Sequence, residues 1–138
     1  MNKTALIIVL IGSLFTLSCS KKDSDSEYPK TVNIKFDVTT SRNTQAIIST
    51  TLNNETETEN VDSLPFSITY AQTEVDEGTY LKLSYKEDGI YTSGTGGIDT
   101  WTDYTAELKI YVDNQVVKTQ SFEISENVGL IQIDYTFQ

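Results

Sequence analysis

From Thr31 onward, hydrophobic and polar residues alternate with a period of two, as strands with one buried face require. Val32, Ile34, Phe36 and Val38 interleave with Asn33, Lys35, Asp37 and Thr39. A second run, Gln45 to Leu52, ends at Asn53-Asn54, a pair that tolerates positive φ and suits a tight hairpin turn. Its partner, Glu55 to Val61, alternates Thr with Glu and reads as an exposed edge whose charges discourage pairing with other edges. Pro65 interrupts, and Phe66, Ile68 and Tyr70 begin another strand, closed by a turn at Asp76-Glu77-Gly78. Leu81, Leu83 and Tyr85 give the next strand its inward face, and it stops at Asp88-Gly89. An irregular segment from Tyr91 to Asp103 follows. Tyr104, Ala106, Leu108, Ile110 and Val112 then alternate, Asp113-Asn114 turns the chain into Val116 to Phe122, and Leu130 to Phe137 closes the series. Seven to eight strands with regular turn signals, and no 3.6-residue stripe beyond the N-terminal segment, predict an all-β protein: an antiparallel β-sandwich over residues 30–138.

The first residues follow a different pattern. Met1-Asn2-Lys3 is a short basic start, and Ala5 to Leu17 is an apolar stretch broken by Gly12, Ser13 and Thr16. It is shorter than the ~20 residues of a spanning helix, so residues 1–18 read as a signal peptide. Leu14-Phe15-Thr16-Leu17-Ser18-Cys19 resembles a bacterial lipobox, in which the cysteine becomes the acylated first mature residue; Thr16 stands where leucine is usual. Cys19 is the only cysteine, and the alternative, an ordinary secretory signal, would leave it as an unpaired thiol. Residues 19–29 are then the lipidated cysteine and a polar tether, whose ten residues after the cysteine reach about 35 Å when extended. The lysines and the Ser/Asp/Glu run after Cys19 resemble the surface-export signal of Bacteroidota lipoproteins, with a plain spacer as the alternative.

Charge and composition narrow the chemistry. The chain holds 10 Lys+Arg against 20 Asp+Glu. Loss of residues 1–18 removes only Lys3, leaving 9 against 20 and a net charge of −11. Such a surface repels phosphate backbones and anionic head groups, so no nucleic-acid partner is expected and membrane association falls to the lipid. Histidine is absent, which removes the commonest general base and metal ligand. Acylation of Cys19 leaves no thiol for disulfides, zinc or nucleophilic catalysis. No enzyme is expected, and no cofactor or metal beyond the covalent lipid on Cys19.

Thr31 to Thr39, Leu64-Pro65-Phe66-Ser67 and Leu108 to Val117 together resemble the extracytoplasmic domain of the MmpS family, accessory proteins of mycobacterial lipid and siderophore exporters, and similar domains in Bacteroidota lipoproteins. The resemblance covers most of Thr31 to Gln138. It implies a small immunoglobulin-like sandwich and a transporter as partner. MmpS proteins are held by a transmembrane helix and commonly carry a disulfide, where this chain has a single cysteine.

Few residues carry candidate chemistry. Tyr91, Trp101 and Tyr104 border the Gly-rich irregular segment and form a candidate binding loop, on which aromatic faces could stack against a sugar or anchor a protein. The alternative is that Trp101 plugs the open end of the sandwich, and that is the reading preferred here. Asp88, Asp99 and Asp103 lack the spacing of a calcium loop. Asp62-Ser63-Leu64 matches the short pattern on which Bacteroidota attach O-glycans, making Ser63 a candidate glycosylation site, with a simple turn as the alternative. The expectation is a lipid-anchored, non-enzymatic module of the outer membrane, facing periplasm or cell surface, that docks an envelope protein; the alternative is a glycan or small-ligand binder.

Overall fold

Alternating β-branched and aromatic residues give each segment one face that is stable only when packed on another sheet. The structure, a computed structural model, describes residues 28–89, 101–126 and 128–138. It contains eight strands: β1 (Lys30–Thr40), β2 (Ala46–Leu52), β3 (Glu55–Val61), β4 (Phe66–Val75), β5 (Tyr80–Glu87), β6 (Tyr104–Val112), β7 (Gln115–Ile124) and β8 (Ile131–Thr136). They form two antiparallel sheets of four, β4-β1-β6-β7 and β3-β2-β5-β8, and no helix occurs among the described residues. This establishes the expected β-sandwich. The signal segment and Cys19 lie outside the described residues.

Between the sheets lie the inward residues the alternation predicts. Ile34, Phe36 and Val38 of β1, Leu81, Leu83 and Tyr85 of β5, and Leu108 and Ile110 of β6 are all fully buried. Local backbone choices set the register. Asn53 and Asn54, with φ of 51° and 65°, and Asp113 and Asn114, with φ of 49° and 65°, make two-residue turns with positive φ at both central positions. That geometry matches the right-handed twist of the flanking strands. Gly78, at φ 84°, closes the β4–β5 turn. A bulge in β4 was not foreseen from the sequence. The β1–β4 register shifts between Val32 and Ile34, and Gln72 takes φ 53° with its N–H donated to Asn33 Oδ1 at 3.1 Å.

The register also separates the two ends of the sandwich. Lys30 pairs with Val75 at one end, and Thr40 pairs with Ala106 at the other. Tyr28 belongs to the first end, where it is half-buried and donates its hydroxyl to the Gln138 carbonyl at 3.0 Å. The packed unit therefore takes in Tyr28, which the sequence places in the tether. Trp101 and the strand ends that flank residues 90–100 belong to the opposite end. Tyr28 and Trp101 thus lie at opposite poles of the domain.

Candidate functional site

Two regions of the surface combine polar side-chain networks with aromatic or apolar cover. The first surrounds the strand ends that lead into residues 90–100. Arg42, in the β1–β2 connection, is the only arginine of the chain, and its guanidinium is largely covered. Its Nη2 is 2.7 Å from Glu87 Oε1, with side-chain exposures of 16% and 10%. Its Nη1 donates to the Thr102 carbonyl at 2.6 Å. The guanidinium lies over the Tyr104 ring at 4.0 Å and the Trp101 ring at 4.6 Å, within the range of cation–π attraction. Glu87 also accepts from Thr44 Oγ1 at 2.9 Å and from the Tyr104 hydroxyl at 2.8 Å. Tyr85 and Tyr104 share a hydroxyl contact of 2.6 Å. Burial, reinforced by the hydrogen bonds to Tyr85 and Glu87, pushes the Tyr104 hydroxyl far above the ordinary tyrosine range. Gly89 completes the cluster by close approach, since a Cβ there would stand 2.8 Å from Thr44 Oγ1.

This network ties β5, β6 and the β1–β2 connection together at the base of residues 90–100. Five side chains link to one another around a single ion pair, and such networks fix geometry because each broken link strands a buried polar atom. Among the expected loop residues, Tyr91 lies outside the described residues. Trp101 is half-buried, packed against the core margin, and donates Nε1 to Asp103 Oδ1 at 2.7 Å. Tyr104 is no loop residue at all: it opens β6, is 4% exposed, and turns its ring inward. Ser63 is exposed in the β3–β4 connection at the same end, where the neighbouring Leu64 N–H is held by Asn43 Oδ1 at 3.0 Å. Asp99 lies outside the described residues, and among those described no group of three His, Cys, Asp or Glu side chains is placed to hold a metal.

The second region is the side margin where the edge strands β3 and β4 face each other across the sandwich. Register decides which β3 side chains point inward. Leu52, Thr50 and Ile48 of β2 pair with Glu55, Glu57 and Glu59, and because directly paired residues share a face, all three glutamates point toward the other sheet. The outward residues of β3 are neutral and engaged: Thr56 bonds Thr51 and Thr58 bonds Ser49, both at 2.9 Å. Opposite stand Phe66, Ile68 and Tyr70, paired with the core residues Val38, Phe36 and Ile34 and left half-buried at the rim. Tyr70 bridges the margin, its hydroxyl 2.6 Å from Glu57 Oε2 and 2.8 Å from Thr50 Oγ1. Burial and the Glu57 carboxylate hold that hydroxyl above its ordinary range. On one side of the bridge is a hollow of about 270 Å³ lined by Ile48, Phe66, Ile68, Glu57, Thr58 and Glu59. On the other is one of about 220 Å³ bordered by Leu52, Asn53, Glu55 and Tyr70.

Two further hollows, of about 430 and 390 Å³, lie at the opposite margin and share Val117, Tyr135 and Gln138 in their lining; among the described residues the outward sheet faces are polar. The outer face of β1 and β6 is a ladder of charges, with Lys35 2.7 Å from Asp37 and Lys109 2.7 Å from Glu107. Among the described residues the exposed large hydrophobics are Val116 and Leu130, both far from the margin in sequence and sheet position. The sequence reading missed both regions in part. Arg42 carried one usable signal, being the sole arginine. The inward aim of the β3 glutamates was legible in principle, because a two-residue turn at Asn53-Asn54 fixes Leu52 opposite Glu55. Compared with protein families, with curated proteins and with solved structures, the chain gives no match.

Proposed function

We propose that this protein is a non-enzymatic binding module of the bacterial envelope, anchored to the outer membrane by a lipid on Cys19, whose sandwich docks a protein partner through the β3–β4 margin. The observation that carries the reading is the half-exposed row Phe66, Ile68 and Tyr70 facing β3, whose outer edge has no partner among the described residues. An open cleft with apolar walls, beside a strand whose outer edge has no partner among the described residues, is the kind of surface on which an extended segment of another protein gains both backbone hydrogen bonds and buried area. The polar ladders on the sheet faces argue against docking there. A transporter of the envelope is the partner that the MmpS resemblance suggests, and an immunoglobulin-type domain is the fold type it suggests.

A glycan-binding role is the second reading, and Trp101 favours it. The half-buried indole stands at the pole away from the anchor, beside residues 90–100. It is weakened by Tyr104, whose buried ring offers no stacking face.

The test places a photo-crosslinking aromatic amino acid at Ile68 or at Trp101 in intact cells of the source organism. A discrete protein adduct from position 68, with none from position 101, is the expected result. Adducts from position 101 alone, or a shift of tryptophan emission on adding surface polysaccharide, would move the function to the other pole.

A further inference from the structure

Resting on the reading of the β3–β4 margin as a protein-docking cleft, we infer that its occupant is an extended segment with Lys or Arg at alternate positions, added as a strand along the free edge of β3. Three observations converge on that chemistry. The first is the parity of charge on β3: Glu55, Glu57 and Glu59 all face the cleft, while the opposite face carries Thr56, Thr58 and Asn60. Inward-pointing charge blunts an edge against other edges; here it also borders apolar walls, so the strand this edge admits is one of opposite charge. The second is that no cation of the described residues pairs with these glutamates. The ion pairs of the described residues are Lys35–Asp37, Arg42–Glu87 and Lys109–Glu107, so none reaches the β3 glutamates, and Glu57 alone has a partner, the Tyr70 hydroxyl. The third is the incomplete cover of Phe66 and Ile68, which border the same hollow as Glu57 and Glu59.

An added strand meets all three conditions at once. Residues two apart on a strand stand about 6.8 Å from each other, so alternate basic side chains match the spacing of the three glutamates. Opposite charges directly across a strand pair are favourable. The aliphatic stems of Lys or Arg would lie over Phe66 and Ile68 while their charged ends meet the carboxylates. A second copy of this chain fails the same test, because joining β3 to β3 sets glutamate beside glutamate. Acidic charge on an edge thus both rejects self-pairing and selects a basic partner.

The full mature chain in detergent is titrated with two fluorescein-labelled heptapeptides of one composition, one alternating Lys with Thr or Val, the other with its four lysines in a block. The alternating peptide is expected to bind one to one, on the order of tenfold more tightly than the block peptide. Glu55→Gln/Glu57→Gln/Glu59→Gln should lose that binding by a similar factor while keeping a β-type far-ultraviolet spectrum. The control Glu74→Gln/Glu77→Gln/Glu123→Gln, with the same change in net charge at exposed positions elsewhere, should bind as wild type. Equal affinity for both peptides, equal loss in both triple variants, no binding, or a sedimenting dimer that forms through β3 would each overturn the inference. A crosslink from position 68 to a partner without a basic alternating segment would overturn it too, yet would leave the docking reading in place.

Discussion

Arg42 and Glu87, forty-five residues apart in sequence, meet at 2.7 Å beneath the Trp101 and Tyr104 rings. Each is covered by the other and by aromatic surface, so neither charge can fall back on water. In such a pair the loss of one partner costs more than the pair itself contributes, since the survivor stays buried and charged.

Arg42→Met should therefore lower unfolding stability by about 3–5 kcal/mol, measured by urea denaturation of the full chain in detergent. Arg42→Met/Glu87→Leu should be less destabilised than the sum of the single changes, because no lone charge remains. Arg42→Lys should fall between wild type and Arg42→Met. An ammonium keeps the charge but cannot reach Glu87 and the Thr102 carbonyl while lying flat on two rings. Additive single effects in the double-variant cycle would show that the pair is not coupled.

Alkaline pH should unfold the protein through Tyr104. Its native hydroxyl holds its proton far above the ordinary tyrosine range, so above about pH 10 the unfolded chain releases a proton that the native state retains. The unfolded state then binds fewer protons, and stability falls as pH rises, by about 1.4 kcal/mol per pH unit for one such group. This contribution is fully present below pH 10. Tyr70 is shifted the same way and adds to the slope, whereas tyrosines that titrate alike in both states add nothing. Tyr104→Phe should start less stable, having lost its bond to Glu87, and should show a shallower alkaline decline. An unchanged slope between pH 10 and 11 would exclude Tyr104 as its source.

Trp101 is the only tryptophan, so its emission reports on this one site. Half-burial and the stacked guanidinium predict emission between that of a buried and a solvated indole. Trp101→Ala should cost about 1–3 kcal/mol, below the 3–5 kcal/mol of a fully buried aromatic truncation. Arg42→Met should shift the emission, because it removes the cation that lies on the ring. An emission maximum that ignores Arg42→Met would mean that the contact does not persist in solution.

Strand count, strand order along the chain and turn positions were legible because a period of two and paired Asn or Asp residues are local signals. Glu55 to Val61 shows the limit of such signals. Its polarity announced an edge, but its facing depends on pairing with β2, and only counting back through the Asn53-Asn54 turn places the glutamates inward. The Gln72 bulge left no comparable mark, since nothing in Tyr70-Ala71-Gln72-Thr73 announces the Asn33 side chain that receives its N–H. Tyr104 carried two signals at once, an aromatic near the irregular segment and the first inward position of β6, and the core claimed it. Arg42 lay in a stretch with no periodicity, and its partners come from two distant segments, the end of β5 and Trp101 to Tyr104.

The proposed anchor is open to direct measurement. Cys19→Ala should move the protein from the detergent-extracted membrane fraction to the soluble fraction, because one acyl chain binds membranes only marginally and stable anchoring takes two signals. The wild-type mature protein should begin at Cys19 and carry the added mass of acyl chains. Position matters as much as attachment. Tyr28 enters the domain at the pole opposite Trp101, and the nine residues 19–27 span at most about 32 Å. A lipid at Cys19 should hold the Asn53-Asn54 and Asp113-Asn114 turns nearer the bilayer and Trp101 farther from it. Bilayer-embedded quenchers should then leave Trp101 emission unaltered in the anchored protein. A free Cys19 thiol by mass spectrometry, or membrane retention of Cys19→Ala, would show that the lipid is not what holds this domain in place.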